Sequence, residues 1–254
     1  MPAHREPLAG DRRARQPPAG EPVRGGGEVV APLLAISPHL DDAVFGAGER
    51  IAAHPQAMVV TVFAGRPPAG TPLTPWDRDA GFDDADDVIG ARREEDRTAL
   101  RALGARPVWL DFRDAQYGPT PAVEAVADVV EAAVVASGAP TVLAPLGLFH
   151  GDHHLTHAAA LAVARRRPRL TWLLYEEPMY RLVPGLVDAR LAGLGRAGLR
   201  PRPCPALARS DDRRAAKRRA VAAYRSQLRA LATPGRPGWA DALAPERCWR
   251  VTPR

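Results

Sequence analysis

The chain has 254 residues, enough to bury one sizeable core, with 46% hydrophobic residues and a formal net charge of +6. Of its 35 basic residues only Lys217 is lysine, and the one dense run, "RSDDRRAAKRRAVAAYR" (209–225), carries Asp211 and Asp212 and no interleaved surface aromatics, so it reads as a solvated helix face and no nucleic-acid partner is expected. Cys204 and Cys248 are too few and too far apart for a disulfide scaffold or a thiolate metal site, no apolar stretch reaches the ~20 residues of a membrane span, and the first residues lack a signal peptide's apolar segment; no membrane contact is expected, and the setting predicted is cytoplasmic and reducing.

In chain order, residues 1–28 are dominated by Pro, Gly and Arg and are predicted to be a disordered tail. A single domain is expected over 29–254. Its strands are predicted at 29–37 ("VVAPLLAIS"), 58–64, 107–112, 141–146 and 170–175, most of them continuous apolar runs, as strands covered on both faces require. Helical patterns lie between them near 42–53, 88–103, 121–137 and 155–166, and a last amphipathic helix is predicted near 211–232. This alternation predicts an α/β fold, a three-layer sandwich with a mostly parallel sheet and helices on both faces. Residues 65–87 show no periodicity, yet Trp76 and Phe82 give them something to pack, which predicts a lid loop.

The chemistry gathers at two strand ends. "SPHLDDAVFGAG" (37–48) places His39, Asp41 and Asp42 where a buried strand gives way to a helix. His39 and Asp42, three apart, can face one point, and a borderline cation such as zinc takes imidazole and carboxylate together. Taken alone, the motif fits equally a helix-capping Asp beside an incidental histidine. The second cluster, "LGLFHGDHHLTHAAA" (146–160), follows another predicted strand, and five of the seven histidines lie in the two clusters. With Asp152 as helix cap, His153 and His157 share a face while His154 points elsewhere. A shared metal site is therefore predicted. Two His and one Asp leave a position for water, the pattern of a catalytic zinc. Asp41, beside the ligands, is then placed to take the water's proton, and His150 to stabilise the oxyanion or protonate the leaving amine. Metal-assisted amide hydrolysis is the expected chemistry.

The two motifs resemble the P-H-x-D-D and H-x-D-H signatures of the PIG-L/LmbE-type N-acetylglucosaminyl deacetylases, which are zinc enzymes. The resemblance runs from about Val29 through "VTVFAGRP", "TPWDRDAGF", "ARREEDRTALRALGA", "LDFRDAQY", "AYRSQLRAL" and "PERCWR". It implies a Rossmann-like fold, a Zn2+ cofactor held by His39, Asp42 and His153 (with Fe2+ as an alternative for these ligands), and Asp41 as general base. It further implies His150 as the histidine assisting the tetrahedral intermediate and Asp152 as the carboxylate tuning that site. Arg92 matches an arginine used on the substrate, with a solvated helix Arg paired to Glu95 or Asp96 as its alternative. Asp114 is either a ligand to a sugar hydroxyl or a turn-forming Asp. For His157, helical spacing allows a metal ligand and the resemblance a supporting or packing role. Ala43, Leu40 and Gly151 depart from the residues common in the family and imply a subgroup with its own substrate.

The expected activity is removal of an N-acetyl or other N-acyl group from a small amino-sugar conjugate, with a homo-oligomer left open. A non-catalytic sugar- or nucleotide-binding α/β module is the alternative. An intact Asp41 and the absence of a G-x-G-x-x-G or P-loop sequence after the first strand count against it.

Overall fold

The computed structural model describes residues 31–84 and 87–253, so the expected N-terminal tail and the first two residues of the expected first strand lie outside the described residues. Five parallel strands follow the expected order: β1 (Leu33–Ser37), β2 (Met58–Thr61), β3 (Arg106–Trp109), β4 (Thr141–Pro145) and β5 (Thr171–Tyr175). Two further strands, β6 (Leu199–Pro203) and β7 (Cys248–Pro253), complete a mixed sheet of order β3-β2-β1-β4-β5-β7-β6, with β7 antiparallel to both neighbours. Neither was legible as a strand. β6, "LRPRP", carries two prolines, which the sheet tolerates because β6 is an edge.

The helices are α1 (Asp42–Ala52), α2 (Pro75–Ala80), α3 (Val88–Ala102), α4 (Val123–Ser137), α5 (Gly151–Arg166), α6 (Leu186–Arg196), α7 (Asp211–Ala223) and α8 (Arg225–Leu231). Successive strand residues alternate between faces. Leu34 and Ile36 of β1 pack into a cluster with Val126 and Val130 of α4 and Ala159 of α5; Leu33 and Ala35 join Val44 of α1, Leu100 of α3 and Val221 of α7 on the opposite face. Both sides of the sheet are thus covered, which is why its central strands read as unbroken apolar runs.

Three local corrections matter. The expected terminal helix breaks at Tyr224 (φ −82°, ψ 57°), whose buried hydroxyl donates to Asp96 at 2.7 Å. The aperiodic segment 65–87 contains α2, a helix too short to show a period but started by a capping box: Thr74 accepts the Asp77 amide and the Asp77 carboxylate accepts the Thr74 amide. Cys204 and Cys248 are not isolated thiols. Cys204 follows the last residue of β6, its amide donates to the Cys248 carbonyl at 2.8 Å, and with Cα atoms 5.4 Å apart the two cysteines form a disulfide. No described helix is long and apolar enough to cross a membrane.

The basic run of α7 is also partly internal. Lys217 is 3% exposed and donates to Glu246 at 2.8 Å. Glu246 in turn accepts the amides of Glu49 (2.6 Å) and Arg50 (3.1 Å), which lie just past the non-helical Ala47 in the middle of α1. The "FGAG" of the first motif allows this kinked helix to pack closely. A Cβ on Gly46 would meet the Tyr175 ring at 2.4 Å, and that tyrosine's hydroxyl reaches the Ile36 carbonyl at 3.1 Å.

Candidate active site

β1 and β4 are neighbours at the middle of the sheet. The chain leaves β1 for β2 on one side and β4 for β5 on the other, so a crevice opens between their carboxyl ends. The turn from β1 into α1 supplies His39, Asp41 and Asp42; the start of α5 after β4 supplies His150, Asp152 and His153. The two sequence clusters therefore meet. His39 lies 5.2 Å from His150 and 5.3 Å from His153 between ring centroids, and His150 lies 5.5 Å from His153.

The junction is one oxygen. Asp42 Oδ2 lies 3.2 Å from His39 Nδ1 and 3.2 Å from His153 Nε2, and accepts the His39 amide at 2.8 Å. Each imidazole is braced on its far side by another carboxylate: His39 Nε2 by Asp152 at 3.1 Å, and His153 Nδ1 by Glu177 at 3.3 Å. A carboxylate hydrogen-bonded to a histidine nitrogen, as Asp152 is to His39, orients the ring and raises its basicity, while Glu177 acts on His153 through its charge. Burial alone would lower the pKa of both histidines. For His39 the charges of Asp114, Asp152 and Asp42 outweigh it and raise the pKa; for His153 Asp42 and Glu177 raise it to about 9. Burial likewise would raise Asp42, but His153 and His39 hold it well below the usual carboxylate range.

The donor set suits a divalent cation. One nitrogen from each of His39, His150 and His153 falls within 4.8 Å of the others, and His39, Asp114 and Asp152 form a second such group among the described residues. Imidazoles and carboxylates gathered in a half-buried crevice are donors that suit a divalent cation.

Asp41 takes the N-cap position of α1 without making a side-chain capping hydrogen bond, and it lines the cavity. Removal from water, then the charge of Asp42, pushes its carboxyl up to about 7. His150, not Asp152, caps α5, whose helix starts four residues before its expected beginning: His150 Nδ1 accepts the Asp152 amide at 3.2 Å. That acceptor role leaves the ring proton on Nε2. Burial, then His39 and His153, lowers the His150 pKa, so it stays neutral. Asp152 is 1% exposed and accepts the Ala115 amide at 3.1 Å as well as bracing His39.

Arg92 is no solvated helix arginine. It is buried, donates to the Tyr117 hydroxyl at 3.1 Å, pairs with Asp77, and lines the same cavity, of about 280 Å³. Asp114 lies 3.7 Å from His39 Nε2 and holds Gln116 through its amide (3.0 Å) and its side chain (2.8 Å). Asp114 thus both closes a turn and faces the cavity. His157 points away from the three histidines: its Nδ1 lies 3.0 Å from the Pro145 carbonyl, burial brings its pKa down to about 4, and it packs under Gly147. It supports the loop after β4 by packing. His154, expected to point elsewhere, is exposed.

The sequence reading missed Glu177. It is buried, accepts the amides of Gly147 (2.8 Å) and Leu148 (3.0 Å), and braces His153. The available signal was "YEEP" at the end of β5, paired carboxylates at the carboxyl end of a buried strand, as in "HLDD".

A family model described as PIG-L, GlcNAc-PI de-N-acetylase, matches residues 34–164, just over half of the chain. Among solved structures, the zinc-inhibited form of teicoplanin deacetylase Orf2 superposes with a TM-score of 0.75 at 24% identity, covering 88% of this chain and 99% of that one. The A40926 pseudoaglycone deacetylase Dbv21 gives 0.72 at 27% identity, with 89% and 98% covered. A triple mutant of the teicoplanin-pathway deacetylase gives 0.73 at 28% identity, with 87% and 98% covered. No curated protein sequence matches.

Proposed function

As the chain belongs to the PIG-L family, we propose that it is a metal-dependent N-deacylase of an amino-sugar conjugate, with His39, Asp42 and His153 holding a divalent cation, Zn2+ first among the candidates. The observation that carries this reading is the division of labour in the aspartate pair. Asp42 Oδ2 is shared by two braced imidazoles, while Asp41 makes no capping bond and lines the cavity. The deacetylases that share the fold at 27–28% identity support the reaction class.

A bound cation would polarise the acyl carbonyl and acidify a water beside it. Asp41 takes the attacking water's proton as its oxygen bonds to the acyl carbon, and returns that proton to the amine as the carbon–nitrogen bond breaks. Removal from water and the charge of Asp42 push the Asp41 carboxyl up to about 7, which suits a base that must both take and return a proton near neutral pH. His150, with its proton on Nε2, donates to the oxygen of the tetrahedral intermediate. Arg92 and Asp114 line the cavity where sugar hydroxyls would lie. The products are a free amine and a carboxylate.

Metal analysis of the purified protein, coupled to acetate release from a panel of N-acetylated amino-sugar glycosides, tests the proposal. Stoichiometric metal and acetate release from at least one glycoside are expected. Metal-free protein that regains no turnover when Zn2+ or Fe2+ is supplied, and releases no acetate from any substrate, would overturn it.

A further inference from the structure

Two bulky residues at the mouth of the cavity hold backbone conformations that side chains rarely adopt. Phe149 has φ 59° and Met179 has φ 65°; apart from Gln56 they are the only non-glycine residues with positive φ among the described residues, and both line the cavity. Such conformations are strained for a residue with a side chain and persist only where their surroundings over-determine them. Here buried or half-buried carboxylates do so. Glu177 accepts the amides of Gly147 and Leu148, just before Phe149, and Arg190 donates to the Gly147 carbonyl. Asp241 accepts the Met179 amide at 2.8 Å and takes Arg181 in a two-pronged ion pair, 2.8 Å at each contact.

What this strain holds in place is an aromatic shelf turned towards solvent. Phe149 is 63% exposed and lies parallel to Tyr180, with centroids 5.1 Å apart and planes 13° apart. Leu182 and Val183, 65% and 40% exposed, continue the apolar surface along the same short segment. Tyr180 is half-buried and packs against the core, so it anchors the exposed Phe149 ring, and an exposed ring fixed in this way beside a cavity is more than scattered surface apolarity. Phe149 is also the residue before His150, so the shelf begins one residue from the proposed reaction centre.

We infer that the Phe149–Tyr180 stack is a subsite for a planar, apolar aglycone attached to the amino sugar. This rests on the deacylase reading and adds the class of conjugate. A cavity of about 280 Å³ is at the low end of ligand pockets, so it takes an N-acylated sugar and little else. With the acyl carbon held at Asp41 and His150 inside, whatever the sugar carries emerges across the mouth, over Phe149. The stacked pair offers that group a flat face already ordered before binding, so little conformational freedom is lost on contact.

The test compares 2-naphthyl and methyl glycosides of N-acetylglucosamine with wild-type, Phe149→Ala and Phe149→Trp proteins, each checked for folding by its thermal transition. The ratio of kcat/KM, naphthyl over methyl, is expected to exceed one by about tenfold in the wild type, to fall towards one in Phe149→Ala and to be kept in Phe149→Trp. A ratio unchanged by Phe149→Ala would overturn the inference. An N-octanoyl methyl glycoside forms a second arm; if Phe149→Ala impairs that substrate and spares the naphthyl preference, the shelf serves the acyl chain and the inference fails. Equilibrium binding of the naphthyl glycoside, followed by its fluorescence, separates the two levels. Binding weakened by Phe149→Ala with no acetate released from any substrate would sink the deacylase reading and leave the aromatic subsite standing.

Discussion

Arg92 lies 2.9 Å from Asp77, with side chains 5% and 0% exposed, so an ion pair joins α3 to the short helix α2 out of reach of water. The same Asp77 accepts the Tyr117 hydroxyl at 2.7 Å and caps the start of its own helix. A buried charge that loses its partner is far costlier than an exposed one, and Asp77 also satisfies Tyr117. Asp77→Ala is expected to lose about 3–5 kcal/mol of stability, measured by denaturant unfolding. A loss below about 1 kcal/mol would show that solvent or another group already satisfies Arg92.

Asp41 and His39 should separate chemistry from metal binding. Asp41→Asn keeps the shape of the N-cap but cannot take a proton, so turnover should fall by about 10²–10⁴-fold with metal content unchanged. His39→Ala should lose both. Metal content and acetate release measured on the same preparations decide the matter, and an Asp41→Asn protein with wild-type turnover would remove Asp41 from the role of base.

Asp96 supplies a pH dependence away from the histidine cluster. It is 1% exposed, and burial raises its pKa from 3.8 to about 6, with hydrogen bonds from Trp109 (2.7 Å) and Tyr224 (2.7 Å) opposing the shift. Its folded pKa exceeds its unfolded one, so between these values the folded state holds more protons and stability falls as pH rises. The penalty is absent below the unfolded value, 3.8, and complete above about 6, where it is on the order of 2–3 kcal/mol. Unfolding free energies at pH 4.5 and 7.5 should therefore show Asp96→Asn gaining on the wild type as pH rises. A pH-independent difference would contradict the shift.

The Cys204–Cys248 bond closes a chain separation of 44 residues and ties the edge strand β6 to β7. Opening it frees the unfolded chain, and replacing both cysteines with serine should cost about 2–4 kcal/mol. Thermal transitions with and without reductant provide the check. The wild type should fall towards the double variant under reduction, and the double variant should not respond.

Local pattern alone makes the parallel strands of the sheet legible, because strands buried on both faces must be apolar throughout, and β1 "LLAIS" and β4 "TVLAP" show it without any knowledge of their neighbours. It also determined the two clusters of site residues, since paired carboxylates and grouped histidines at the ends of such strands are conspicuous as local chemistry. Tertiary structure alone decided how those clusters meet. Strand order is set by contacts between segments a hundred residues apart, and it is the adjacency of β1 and β4 that brings Asp42 between His39 and His153. The same holds for Glu177 behind His153, Asp77 beneath Arg92 and the disulfide between β6 and β7. In each of these a charge taken out of water meets an opposite charge, or a thiol is paired, through a residue that no local pattern in the chain identifies as its partner.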